Sequence, residues 1–393
     1  MRVARRVTLL SVVCFLFVRA ETLLIAVAAF SAVQTKPTAT QKVALEAEIA
    51  ARFAPVFYQA LGDTPRSDYI TNFDFDGDWR GDNNWDHADK KEFSLKAYIY
   101  YAISETGSHF FIHYAVFHPR DYKGGERKGA LLSELMRKGA DHGGKYDPTG
   151  LAEEAALAHE NDMEGCLIVI AKKGNDLDSD HVAFVETLHH NNFSRYLPGE
   201  TLKDFSPVRL EDQHALLYVE PKGHGIEAYV GDQKQTGKKD FLRYKFSGHA
   251  EDPSAGETKV PICHDLADNP CAESVGYELI PISGTLWPKA HGENNATYGE
   301  NCDYGQISLF LTSSGGRRSE KKIKVGRIGC AFLGRVGGHN MARPPWGWFD
   351  KDERDQPLGR WFFDPATTIK RDFHLDDSFS TSYLRLPFWA GMR

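Results

Sequence analysis

The sequence predicts a mainly β protein, a β-sandwich with inserted helices and an irregular C-terminal segment rich in Trp, Pro and Gly. Three observations predict it. Short apolar runs recur along the chain, 35 glycines supply frequent turns, and the 12% aromatic and 26% charged contents are those of a globular protein. At 393 residues the chain can bury one large core or two ordinary ones. No linker after residue 45 divides it, so residues 45–393 are expected to form one domain, with 246–393 as its Cys-bearing C-terminal half.

The elements follow in order. MRVARR and the apolar VTLLSVVCFLFV read as the n- and h-regions of a signal peptide over 1–31, with small residues at Ala26/Ala28 or Ala29/Ser31 for cleavage. A second apolar stretch, LLIAVAAFSAV, leaves a membrane anchor as the alternative. Cleavage takes away four Arg and one Glu and moves the formal charge from -7 to -10. Residues 32–44 read as a polar linker, and VALEAEIAARFAPVFYQ (43–59) has helical spacing that stops near Pro55. FSLKAYIYYAISETGSHFFIHYAVFHPRD reads as two strands joined at Glu105-Thr-Gly107-Ser. GALLSELMRKGADHGGKYDPTGLAEEAALA contains helical pieces and Gly-rich breaks. Strands are expected at 164–173, 181–188, 214–221, 225–230 and 306–312. RRSEKKIK (317–324) reads as a solvated face, and the acidic balance excludes a nucleic-acid binder, which needs basic surplus against phosphate.

Five cysteines remain after cleavage. Cys263 and Cys271 bracket a short turn-rich loop and are expected to pair, with Cys302 and Cys330 as the second pair. Cys166 lies in an apolar run and reads as a buried free thiol. Such usage fits export, as do the sequons at Asn192 and Asn295.

The segment AHENDMEG (158–165) carries the densest chemistry. If CLIVIA continues it as a strand, Asp162, Glu164, Cys166, Ile168 and Ile170 share one face. Met163, Gly165, Leu167, Val169 and Ala171 share the other, and both faces are apolar enough to be buried. His159, in the connecting turn, can fold over the two carboxylates. Adjacent buried carboxylates repel unless a cation, a proton or an Arg compensates them, and a divalent ion is a direct solution. The alternative is a capped turn paired with a basic side chain. A zinc-protease helix is excluded because Met163 stands four residues after His159.

Two further candidates stand beside it. Asn72, Asp74, Asp76 and Asp78 space oxygens at every second position around Gly77, like the first half of a calcium loop. A hydrogen-bonded turn explains the same spacing. Among the histidines, His109 and His113 share a strand face and read as core residues. His224 lies between two glycines and is left unobstructed. No Gly-x-Ser-x-Gly elbow, P-loop or placed Gly-x-Gly-x-x-Gly occurs.

FDFDGDWRGDNNWD, SHFFIHYAVFHPRD, HENDMEG, ALLYVEPKGHGIEAY and PPWGWFD…WFFDPA together resemble secreted proteins of the vacuolar protein sorting-associated protein 62 family, over most of residues 50–366. HENDMEG is also distantly similar to the heptapeptide of necrosis- and ethylene-inducing-like proteins, secreted β-sandwiches that hold a divalent cation and bind sphingolipid head groups. That likeness places His159, Asp162 and Glu164 on metal-contacting positions, with His224 as the downstream His. Met163 stands where that heptapeptide has Trp, Ala158 where it has Gly and Asn161 where it has His, which weakens transfer of cytolytic activity.

The expectation is therefore a secreted protein holding Ca²⁺ or Mg²⁺ at His159, Asp162, Glu164 and His224. It would recognise a polar lipid head group or glycan, with peripheral membrane contact and cell damage as one outcome. A metal-dependent hydrolase of phosphoester or glycan, with Glu160 or a neighbouring His as base, and a purely structural ion are the alternatives.

Overall fold

The computed structural model describes residues 39–122, 158–174, 177–199, 201–202, 204–232, 235, 240–254, 263–264, 271, 273–292, 296–313, 315–336, 342–350 and 358–388. The signal or anchor segment, the Gly-rich stretch at 129–157 and the sequon Asn295 lie outside them. The chain divides at Ala44/Leu45. Of the first unit the described part is the start of a helix, Ala39–Arg52. The second unit, from Leu45 on, carries everything below.

The expected hairpin organises that unit. Tyr, Phe, Ile and Val fill both of its arms, β-branched and aromatic residues that pack well on a pleated surface. The eighteen strands of the described residues are β1 (Val56–Leu61), β2 (Tyr98–Thr106), β3 (His109–Asp121), β4 (His159–Ala171), β5 (His181–Leu188) and β6 (Phe193–Pro198), then β7 (Ser206–Val208), β8 (Leu210–Glu211), β9 (His214–Val219), β10 (Ile226–Ala228), β11 (Asp240–Phe246) and β12 (Cys263–His264). They end with β13 (Val275–Pro281), β14 (Tyr298–Asp303), β15 (Gln306–Thr312), β16 (Arg318–Lys324), β17 (Arg327–Phe332) and β18 (Ser382–Arg385).

Sixteen of these form one mixed sheet in the order β10-β9-β1-β11-β13-β2-β3-β4-β5-β6-β7, with β8, β12, β15, β16 and β18 paired off that path. β14 and β17 make a separate antiparallel pair. The sheet curls until β10 approaches β4 and β5 and β7 approaches β9, so it is nearly closed.

The curl explains why β4 is buried on both sides. Cys166, Ile168 and Ile170 point into the inner core with Tyr114, Val116 and Leu217. Met163, Leu167 and Val169 point outward, under an aromatic layer that includes Trp346, Trp348, Trp361 and Phe362. The Trp-rich C-terminal segment supplies that layer, held in part by a helix at Pro365–Asp372. Pro365 suits a first helical turn, and Asp364 caps it by accepting from Thr367 N–H at 3.4 Å.

Several expectations change. The 43–59 helix ends at Arg52, and VFYQAL becomes the fully buried β1, because that run pairs with both β9 and β11. Helix also replaces the last residues assigned to the linker. His159 lies inside β4 rather than in a turn before it, since Asp121 pairs opposite. RSEKKIK is both strand and exposed face. Both disulfides form as expected and Cys166 is free and buried. Among the described residues no helix is long and apolar enough to cross a membrane.

Candidate functional site

The polar end of β4 does two different jobs. Glu160 and Asn161 anchor it to neighbouring loops. The Glu160 carboxylate accepts from the backbone N–H of Trp85 at 2.7 Å, Arg335 at 2.6 Å and Val336 at 3.3 Å. Burial pushes its pKa up against those hydrogen bonds. Asn161 takes a left-handed φ of 59°, donates to Gly81 O at 2.8 Å and Leu333 O at 2.7 Å, and accepts from Asn84 at 2.7 Å.

Asp162 faces the interior of the curled sheet. It pairs across the ladder with His118, and its Oδ2 accepts from His224 Nδ1 at 2.8 Å. The other nitrogen of His224 lies 3.2 Å from Asp68 Oδ1. Asp68 in turn accepts from Gly62 N–H at 2.6 Å and Lys222 N–H at 2.7 Å. His224 is fully buried, with φ 55° beside Lys222 at φ 72°. Burial alone would lower its pKa, but the two carboxylates outweigh that and raise it to about 9. The charge compensation that a metal was expected to supply is therefore available from an imidazolium.

His118 stacks on His224 with ring centroids 3.7 Å apart and planes 7° apart. Burial, then the His224 charge, holds its pKa well below the usual histidine value. Its tautomer follows from the neighbours. Gln59 Nε2 donates to Ala60 O at 2.9 Å, so Gln59 Oε1 is the acceptor that faces His118 Nε2 at 2.9 Å. His118 Nε2 carries the hydrogen, and its buried Nδ1 keeps a bare lone pair without a hydrogen-bond partner.

Of the four expected ligands, the structure brings Asp162 and His224 into contact. Glu164 is buried on the same face, opposite Val116. His159 turns instead to its own surroundings, Nδ1 donating to Asn161 O at 2.8 Å and Nε2 3.4 Å from Asp121. Asp68 and Gln59 join the site without a sequence signal to announce them, because each comes from a distant segment; His118 belongs to the strand run SHFFIHYAVFHP that also carries His109 and His113. Beside Asp68 lies a small hollow with room for about one water, lined by Gly62, Asp63, Thr64, Ser67, Asp68, Tyr122 and Lys222.

The Asp162 carboxylate is the oxygen donor a hard cation would use here, and a cation and a proton compete for the Asp162–His224 pair. Asp68 binds the opposite nitrogen of His224, and these residues do not bring three ligating atoms within 4.8 Å of one another. Among the described residues, sets of three ligating atoms within 4.8 Å of one another occur elsewhere, at His189/His190/Glu220 and Glu300/Cys302/Cys330. The latter cysteines are bonded to each other and are no ligands.

Asn72, Asp74, Asp76 and Asp78 turn their side chains to one another and to near neighbours. Asn72 donates to Asp74 at 2.8 Å, Asp78 N–H to Asp76 at 3.2 Å, and His87 binds Asp76. Asp78 accepts from Arg80 N–H at 2.7 Å and Asn83 at 3.0 Å. His113 bonds Trp361 O at 2.9 Å, burial lowering its pKa to about 4, a satisfied core histidine.

No family model matches the chain, and no curated protein matches it. Solved structures that do match are necrosis- and ethylene-inducing-like toxin-fold proteins at low identity. One described as a toxin fold for microbial attack and plant defence is 13% identical, covering 50% of this chain and 71% of that one at a TM-score of 0.26. The non-toxic HaNLP3 protein is 12% identical over 63% and 77%, TM-score 0.26. NLPPya in complex with glucosamine is 11% identical over 47% and 66%, TM-score 0.25. Likeness this slight carries no functional argument, so the site stands on its own geometry.

Proposed function

We propose that this chain is a secreted, cation-dependent recognition protein. Asp162 and His224, with Glu164 on the same strand face, hold Ca²⁺ or Mg²⁺, His159 joining them by turning away from Asn161 O and Asp121, and the ion helps bind a polar ligand, a lipid head group or a glycan. The bound ion would supply a fixed positive charge for the ligand's oxygens.

The observation that carries this reading is backbone strain gathered around buried charge. Among the described residues seven non-glycine residues have left-handed φ, and three of them, Asn161, Lys222 and His224, lie on the segments that carry Asp162 and His224. Each costs on the order of 1 kcal/mol, and such strain concentrates where ligands are bound. Hydrolysis through Glu160, one of the two expected kinds of base, is disfavoured because its carboxylate is spent on three backbone N–H groups.

Metal analysis of the purified chain tests the reading against the Asp162→Ala, Glu164→Ala double variant. Stoichiometric Ca²⁺ or Mg²⁺ in the wild type and its loss in the variant are expected. Equal, substoichiometric metal in both would overturn it. Lipid and glycan arrays with and without chelator would then identify the ligand class.

A further inference from the structure

A second cluster lies just beyond Gly225. The β5–β6 hairpin closes through two residues, with His189 N–H donating to Asn192 O at 2.9 Å and Asn192 N–H to His189 O at 3.0 Å. φ is 49° at His190 and 60° at Asn191, so the turn is type I′, whose usual occupants are Asn-Gly. Histidine in the first of those places is an unfavourable choice for folding alone.

Position is what it gains. His189 Nε2 lies 3.1 Å from Glu220 Oε2, and His190 Nε2 meets the other oxygen of the same carboxylate. The far nitrogen of His189, Nδ1, is 3.1 Å from Glu227 Oε1. The His189 ring lies against bare backbone: a Cβ at Gly225 would stand 1.9 Å from its Cδ2. All three ligating atoms of His189, His190 and Glu220 fall within 4.8 Å of one another, and all three residues are half-buried.

We propose that His189, His190 and Glu220 form a metal site of the zinc class, separate from the oxygen-rich Asp162 site. Two imidazoles with one carboxylate are a borderline donor set, suited to Zn²⁺ and its neighbours rather than to Ca²⁺ or Mg²⁺. Glu227 supplies the outer feature such sites share, a carboxylate accepting Nδ1–H that fixes the tautomer and leaves Nε2 to ligate. Partial exposure leaves room for water or a ligand atom at a fourth position. The proposal does not depend on the reading of Asp162 and Glu164.

Calorimetric titration of the chelator-stripped full chain with ZnCl₂ tests it, using wild type, His190→Asn, Glu227→Gln and the Asp162→Ala, Glu164→Ala double variant. Asn tolerates left-handed φ, so His190→Asn keeps the turn. One equivalent of Zn²⁺ is expected in the wild type and in the double variant. His190→Asn should lose it, and Glu227→Gln should bind about 10–100-fold more weakly. Co²⁺ should give the wild type the intense visible bands of a four-coordinate ion, a readout that needs no variant. The proposal is overturned if the wild type takes up no Zn²⁺ equivalent or gives no such spectrum. It is equally overturned if His190→Asn retains the equivalent, or if the Asp162/Glu164 variant alone loses it; ion pairs between protonated histidines and Glu220 would then account for the cluster.

Discussion

Gly165 sets how closely the aromatic layer can lie on β4. A Cβ there would stand 2.3 Å from the Trp348 ring and 2.5 Å from Tyr114 O. Trp348 is held in that place by donating to Met163 O at 3.0 Å. Gly165→Ala should therefore destabilise by about 1–3 kcal/mol, read as a lower urea midpoint at unchanged slope. Glu186 behaves differently. It is fully buried, and burial, followed by the nearby Asp372 carboxylate, raises its pKa from 4.5 to about 8 despite Arg195. The folded chain thus keeps a proton there that the unfolded chain releases, so stability present at low pH is lost as pH rises through that window. Melting temperatures at pH 5 and pH 8 should show this fall in the wild type and a smaller one in Glu186→Gln.

Among the elements, β4 shows what could be read from the sequence and what could not. Its alternation was legible: Cys166, Ile168 and Ile170 do enter one core and Met163, Leu167 and Val169 the other. Expected bounds also match the structure at β5 and β15. The start of β4 was not legible, because HENDME looks like a polar turn until Asn84, Gly81 and Leu333 are there to bind Asn161. Asp162 and His224 stood out by their neighbours in sequence. Asp68 and Gln59 did not, and the role of His118 beside His224 did not, since only the closing of the sheet brings β1, β3 and the loop before β10 together. The β5–β6 turn carries its own prediction. Asn191→Gly satisfies the type I′ preference and should stabilise the chain by about 0.5–1 kcal/mol, measured by thermal melting, with metal binding unchanged.

At the scale of the molecule, the unit from Leu45 on is a nearly closed sheet with one core inside and an aromatic layer outside, and the charged groups collect at one end of the interior. A buried end plugged by Asp162, His224, His118, Gln59 and Asp68 is a costly arrangement unless it is used. The most direct test of that use is the melting temperature of chelator-treated chain with and without millimolar Ca²⁺ or Mg²⁺, in the wild type and in Asp162→Asn. Binding only the folded state at about 100 times the dissociation constant adds roughly 2.7 kcal/mol, so the wild type should melt several degrees higher with the ion and Asp162→Asn should not respond. An unresponsive wild type, or an equal rise in both proteins, would contradict the cation site.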